Sequence, residues 1–279
     1  MTSQVRVDVF GLSRTGYVRP NNEDQLFIAK LTRSLETITT TLTPGDVPTR
    51  ADEVNYLLVV ADGMGGHAAG EVASRMAISS LVGLALQLPD WIFFVDEDHL
   101  PEMEWRARRL VQQIGSILVE QGARDPALAG MGTTFSAARS LGRDLMIVHV
   151  GDSRVYLYRA GGLRRLTKDH TYAQMMVERG DLRAEDAAYS RLRHVLTNAL
   201  GGASNPVHVD VDVLRLEDGD RLLLCSDGLT DLVDDEAIAE ALSSMPLSQD
   251  ACERLVQLAL DLGGRDNITA VVAAYTFSD

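Results

Sequence analysis

Apolar residues fall along this chain in two textures. Some form short runs of about four to nine residues, alternating or continuous, bounded by Gly, Asn, Asp or Pro, as strands do. Others recur every three or four residues, as on one face of a helix. The first texture marks residues 5–13, 26–31, 57–61, 134–138, 145–150, 154–159, 207–214, 221–225 and 268–275. The second marks 69–88, with Val72, Met76, Ile78, Leu81, Val82 and Ala85 on one face. It also marks 102–121, with Trp105, Leu110, Ile114, Ile117 and Leu118, and two shorter stretches, 234–242 and 248–262. The glycine-bearing step from Tyr158 to Leu163 reads as a hairpin turn. Residues 32–54, rich in Thr and holding Pro44, Gly45 and Pro48, read as an exposed hairpin or loop with little core. The aromatic cluster at 89–101 reads as a packed connector between prolines. Strands in runs with helices between them predict an α+β chain of two packed sheets with helices outside. No repeat or linker breaks the pattern, so residues 1–279 are read as one domain.

Composition changes this picture only at the margins. A chain of 279 residues with 46% hydrophobic and 24% charged residues can bury a sizeable core. No continuous apolar stretch approaches the roughly 20 residues that span a bilayer. Val5 to Leu12 is interrupted by Arg6 and Asp8, so no signal peptide is expected there. Cys225 and Cys252 are the only cysteines, which points to reduced thiols and a cytoplasmic location. The net charge of −14 argues against nucleic acid and against anionic membrane surfaces as partners. An acidic protein that handles phosphate must import positive charge, and divalent metal is one way to do so.

Four acidic segments carry the candidate chemistry. The run 57–61 ends on Asp62, followed by Gly63, Gly65 and Gly66. A strand tip with one carboxylate and a loop nearly free of side chains lets carboxylate and backbone carbonyl converge on a hard cation. The run 222–225 ends in Ser226-Asp227-Gly228, and Asp266 immediately precedes the strand at 268–275. Arg19, Glu23 and Asp24 share one short loop near the start. Acids this far apart in sequence meet only if their strands are neighbours. An acidic turn after a core strand is common, but four of them on a strand-rich scaffold favour a multi-carboxylate site.

The segments R-P-N-N-E-D, A-D-G-M-G-G-H-A-A-G-E, G-M-G-T-T, V-G-D-S-R-V-Y, L-T-K-D-H-T, L-C-S-D-G-L and G-R-D-N-I-T occur in this order between residues 13 and 275. In these the chain resembles the bacterial form of the metal-dependent serine/threonine phosphatases of the protein phosphatase 2C (PPM) family. The resemblance implies an α-β-β-α sandwich of mainly antiparallel sheets. It implies two Mn²⁺ or Mg²⁺ ions, with Asp62 bridging, the Gly63 carbonyl on one ion, and Asp227 and Asp266 on the other. Glu23 and Asp24 would ligate directly or through water, and Arg19 would bind the substrate phosphate. Arg14 competes with Arg19 for that role, but lies further from the acids. Asp152 and Ser153 read as scaffold, with Asp152 closing a turn and Arg154 pairing locally. The segment 172–193 corresponds to the family's flap, in which Met175, Met176 and Val177 face either the body or a substrate peptide. Met64 stands where eukaryotic members carry a histidine, and His67 reads as structural.

Bacterial relatives often hold a third ion with an Asp just before G-M-G-T-T together with the central aspartate, here Asp227. In this register that Asp falls on Ala127, and the nearest carboxylate is Asp125, two residues earlier. Two extended residues span about 7 Å, more than a metal–oxygen bond of roughly 2 Å, so the third site is expected to be weak or empty. The function implied is hydrolysis of phosphoserine and phosphothreonine in proteins by a metal-activated water, opposing a cognate bacterial kinase, by a monomer. A phosphatase for small phosphomonoesters and a non-catalytic module that binds phosphoproteins are the alternatives. The intact acid set argues against the second of these.

Overall fold

The computed structural model describes residues 4–43, 45–65, 69–87, 100–202 and 206–278. His67 and residues 89–99 of the aromatic cluster lie outside the described residues. The strands are β1 Gln4–Arg14, β2 Asp24–Glu36, β3 Arg50–Met64, β4 Gly132–Thr133, β5 Phe135–Leu141 and β6 Asp144–Val150. They continue with β7 Arg154–Arg159, β8 Gly162–Arg165, β9 Leu200–Gly201, β10 Asp210–Arg215, β11 Arg221–Cys225 and β12 Ile268–Ser278. One sheet runs β1-β12-β11-β7-β8; the other runs β10-β6-β5-β3-β4-β9, with β2 also paired to β3. The pairings are antiparallel.

Three apolar clusters separate four layers. Leu58, Val60, Ile147, Leu222, Leu224 and Val271 fill the space between the sheets. Helices α1 Ala69–Gln87 and α2 Leu100–Arg124 cover the larger sheet. Helices α6 Asp235–Ser244 and α7 Ser248–Asp261 cover the smaller one. The short helices α3 Tyr172–Arg179 and α4 Ala184–Ala187 pack against each other, and α5 Asp227–Thr230 adds Leu229 to the cluster under α6 and α7. This is the α-β-β-α sandwich. Strands β3 and β11 are covered on both faces, and that is why Leu57–Ala61 and Leu222–Cys225 are continuously apolar rather than alternating.

Helix packing departs from the sequence reading in two places. The buried seam of α1 is Ala69, Ala73, Ala77, Leu81 and Ala85, at strict four-residue spacing. The larger Val72, Met76 and Ile78 only flank it, because small side chains let the helix sit close to the sheet. By length and composition α1 would suit a membrane span, yet its alanine row packs on the sheet core. Trp105 is 59% exposed rather than buried, with the Arg109 guanidinium 5.4 Å above its ring. The stretch 32–54 is less loop-like than its composition suggests. Strands β2 and β3 pair through it from Glu36↔Arg50 onward, so backbone ladder bonds, with the Ser34 hydroxyl donating to Asp52 at 2.6 Å, extend an exposed two-stranded arm.

Candidate metal centre

The acids predicted from sequence meet at one end of the sandwich. Asp24 opens β2 and stands directly opposite Asp62 near the end of β3. Asp227 begins α5, just past the end of β11, and Asp266 lies just before β12. Because β11 and β12 run antiparallel, the end of one and the start of the other fall at the same edge. The two sheets are tied there by the Ser226 hydroxyl, which donates to Asp24 Oδ2 at 2.7 Å and accepts from the Thr269 amide at 3.0 Å.

Backbone bonds fix each carboxylate. The Asp62 amide donates to Thr134 Oγ1 at 2.9 Å, and its carbonyl accepts from the Thr134 amide and the Thr133 hydroxyl. Gly63 donates to the Glu23 carbonyl at 3.2 Å. A Cβ at Gly63 would lie 2.1 Å from the Gly70 carbonyl oxygen, and one at Gly228 would lie 2.0 Å from that of Asn267. Both glycines are therefore required by close backbone approach. The Asn267 side chain stitches the first loop to β12, accepting from the Glu23 amide and donating to the Thr15 and Asn21 carbonyls.

The electrostatics are those of crowded acids. Burial raises the Asp62 carboxyl well above the usual range, and Asp24, Asp227, Asp152 and Asp266 push it further. Asp24 is pushed up to about 7, chiefly by burial, with hydrogen bonds from Thr269 and Ser226 opposing. Glu23 is raised by burial, against the pull of Arg19. Asp24 Oδ1 is buried and has no hydrogen-bond partner. Buried carboxylates normally have a compensating donor or cation. This all-oxygen set, with an orphaned carboxylate oxygen, fits a hard divalent ion and not a zinc site of Cys and His.

Arg19 and Arg14 are separated by the geometry. Arg19 Nη2 lies 2.6 Å from Asp266 Oδ2, and its side chain is 54% exposed, so the guanidinium reaches the acids with donors to spare. Arg14 instead donates to the neighbouring Ser13 carbonyl. Asp125 is not brought into the cluster. It is exposed and caps the 3-10 turn Pro126–Leu128, accepting from the Ala127 amide at 3.0 Å.

Two neighbours of the centre were not legible as such. Asp152, in the turn after β6, is buried beside Asp227, and its carboxyl is raised first by burial and then by that neighbour. The scaffold reading holds for Ser153, whose hydroxyl is 2.6 Å from that of Thr134, and for Arg154, which forks onto Asp169 at 2.7–3.2 Å. His194 comes from the segment beyond α4, with Nδ1 3.5 Å from Asp227 and Nε2 3.3 Å from Asp231. No local motif marks His194; only the fold brings it here. A polar cavity of ≈ 270 Å³ separates α3 and α4 from the body, with Val177, Ala187, His194, Asp152 and Asp227 in its lining.

A two-sheet sandwich with an acid cluster between strand ends defines a class, and comparison with known proteins gives its family. The family model described as protein phosphatase 2C matches residues 47–261. The chain belongs to that family. The serine/threonine protein phosphatase PstP of Mycobacterium tuberculosis is 38% identical over 261 residues, 94% of this chain. The chain spans only 43% of that relative's length. The serine/threonine phosphatase stp of Listeria monocytogenes is 36% identical over 77% of this chain and 83% of its own. Among solved structures, the PstP catalytic domain in complex with two manganese ions aligns at TM-score 0.74 and 37% identity, covering 98% of this chain and 100% of that one. A bacterial serine phosphatase aligns at TM-score 0.79 and 29% identity, over 98% and 100% of the two chains.

Proposed function

We propose that this chain hydrolyses phosphoserine and phosphothreonine in proteins at a dinuclear Mn²⁺ or Mg²⁺ centre. The observation that carries the reading is the convergence of Asp24, Asp62, Asp227 and Asp266 at one end of the sandwich, with a buried carboxylate oxygen left unpartnered. Asp62, the Gly63 carbonyl, Asp227 and Asp266 would hold the ions, with Glu23 and Asp24 beside them. Ions bound there neutralise phosphate charge and make a nucleophile of water near neutral pH. The remaining work belongs to the chain's own residues. Arg19 presents a planar pair of donors to phosphate oxygens from the open side of the site. Ser226 holds Asp24 in place, and Thr133 and Thr134 fix the backbone of Asp62. Residues 172–193 wall the cavity beside Asp227 and limit the access of water.

The reading extends to protein substrates, a kinase as antagonist, a monomeric state and a cytoplasmic location, without nucleic acid or membrane partners. It is supported by the named relatives, by the net charge of −14, and by Cys225 and Cys252, both free and buried. The test compares turnover of a phosphothreonine peptide with that of p-nitrophenyl phosphate, with and without Mn²⁺. Metal-dependent turnover of the peptide, at higher kcat/KM than the small ester, is expected. Peptide turnover that persists in chelator, or is absent while the ester is cleaved, would replace this reading.

A further inference from the structure

We infer, building on the phosphatase reading above, that His170 is a positioning residue. Its neutral imidazole latches the neck of the segment 172–195 to the body, and so sets how a phosphoprotein meets the site. The motif L-T-K-D-H-T, which ends on Thr171, supplies none of the proposed metal ligands and has its task here. The segment is held at its two ends. The Tyr172 amide donates to the Val195 carbonyl at 2.9 Å, and the Thr197 amide donates to the His170 carbonyl at 2.9 Å. Thr171 and Leu196 pair between them in a single β-bridge. Beyond this neck α3 and α4 pack on each other, and the ≈ 270 Å³ cavity parts them from the body. The setting of the neck therefore decides where Val177, Ala187 and His194 stand relative to Asp227.

Hydrogen bonds fix the state of the ring. Asn198 is buried and pairs with the His208 backbone, accepting from its amide at Oδ1 (3.2 Å) and donating to its carbonyl from Nδ2 (2.7 Å). Its amide orientation is thereby settled, and the second Nδ2 hydrogen points to His170 Nδ1 at 2.8 Å. The Gly151 amide points to the same nitrogen at 3.2 Å. Two donors on Nδ1 require a lone pair there, so the ring proton sits on Nε2 and is donated to Asp210 Oδ2 at 3.0 Å. That bond is the chief cause holding the Asp210 carboxyl down at about 2, and His208 Nε2 meets its other oxygen at 2.9 Å. One buried ring thus joins the neck to the turn after β6, to the start of β10 and to Asn198, where the chain returns.

The latch lies a short path from the centre. Gly151 sits at φ +111°, and a Cβ there would lie 2.7 Å from Thr134 side-chain atoms, so the turn closes directly on Thr134. Thr134 Oγ1 in turn accepts from the Asp62 amide at 2.9 Å. The body side of this path has a bond of its own, because the His170 amide donates to the Gly151 carbonyl at 2.7 Å whatever side chain stands at 170. Loss of the imidazole therefore loosens the neck more than the metal ligands. A small ester, which needs only the ions and Arg19, is indifferent to the neck; a peptide that lies against residues 172–195 is not.

The full chain with Mn²⁺ is assayed on a phosphothreonine peptide and on p-nitrophenyl phosphate. His170→Ala should lower kcat/KM for the peptide about ten- to a hundredfold, mostly through KM, the effect of misplacing an element that positions substrate. Its kcat on p-nitrophenyl phosphate should stay within about twofold, since ground-state binding of the peptide is what changes. Mn²⁺ stoichiometry by equilibrium dialysis should not change. His170→Asn, which returns an acceptor near Nδ1, should recover most of the peptide activity. His170→Gln, which returns only a donor near Nε2, should recover less. A proton–nitrogen correlation spectrum of the wild type should show His170 neutral with its proton on Nε2, a readout that stands even where His170→Ala fails to fold. Equal loss on both substrates, unchanged peptide kinetics, or a proton on Nδ1 in the wild type would overturn the latch and leave the phosphatase reading intact. A wild type that turns over neither substrate would sink that reading, and the role of His170 toward substrate with it.

Discussion

The two ends of β11 carry buried carboxylates in opposite circumstances. Asp220 precedes the strand and is 1% exposed. Arg159 meets it with Nε at 2.8 Å and Nη2 at 2.7 Å, and the Glu217 amide donates at 2.8 Å. Asp220 thus has its cation built into the fold. At the far end, Asp24 and Asp152 are buried and Asp62 is half-buried, but among the described residues no Lys or Arg side chain forms an ion pair with them. There Arg19 pairs with the more exposed Asp266, and Arg154, near Asp152, is committed to Asp169 at 2.7 Å. One strand therefore separates a structural charge site from the proposed metal site, and the distinction lies in whether the counter-charge is covalent or must be recruited. The recruited charge should appear in activity, and the covalent one in stability.

The largest expected effect comes from removing a ligand charge at the recruiting end. Asp227→Asn should abolish Mn²⁺-dependent turnover while leaving the circular dichroism and melting temperature close to wild type. Loss well beyond tenfold is expected for a residue on which metal chemistry depends. A purified variant keeping more than about a tenth of normal kcat/KM would remove Asp227 from the ligand set.

The covalent end should answer in the opposite currency. Arg159→Ala strips a buried carboxylate of its partner, and such a loss costs on the order of 3 kcal/mol. For a chain of this size that is a fall in melting temperature of roughly 6–12 °C. Metal stoichiometry and kcat at a permissive temperature should not change. If instead Arg159→Ala melts like wild type and loses activity, the contrast between the two ends is wrong.

Sequence made the recruiting end legible and left the rest of its wall obscure. Asp62, Asp227 and Asp266 stood out because each ends or begins an apolar run, and strand ends are where side chains from distant segments converge. Continuous apolar runs at 57–61 and 222–225 likewise marked strands covered on both faces, as found. Asp152 was hidden because its own motif made a turn residue the simpler reading. His194 was hidden because its role depends on how residues 172–196 fold back against the body, and no period or motif encodes that. Trp105 and the alanine seam of α1 misled for a packing reason. Size decided which residues the helix could bury, and hydrophobicity alone does not report size.

Arg19 lies between the two regimes, being covalent charge at the recruiting end. If it serves the substrate, Arg19→Ala should lower kcat/KM roughly ten- to a hundredfold, the value of a charged hydrogen bond of about 1.5–3 kcal/mol. Metal affinity should hold or rise, because Asp266 is released from its 2.6 Å ion pair. Kinetics beside a Mn²⁺ titration decide the matter. Unchanged kinetics with altered metal affinity would make Arg19 a placeholder for the ion rather than a phosphate ligand.

The smallest effect should come from Asp125, the acid that sequence register places near a third ion. Its carboxylate is exposed and already accepts from the Ala127 amide, so it acts as a cap on a single 3-10 turn. Removing such a cap costs about 1 kcal/mol of local stability. That turn leads into Gly130 and Met131, and the Met131 carbonyl accepts from Gly202, so a loosened cap could reach β9 without touching a ligand. Asp125→Ala should therefore keep kcat within about twofold at saturating Mn²⁺, a change below 0.5 kcal/mol. Activity measured across a Mn²⁺ titration gives the check. A large loss that excess metal restores would show that Asp125 leaves its cap to bind an ion. It would then belong with Asp24 and Asp62, among the carboxylates that wait for a cation, rather than with those satisfied by their own chain.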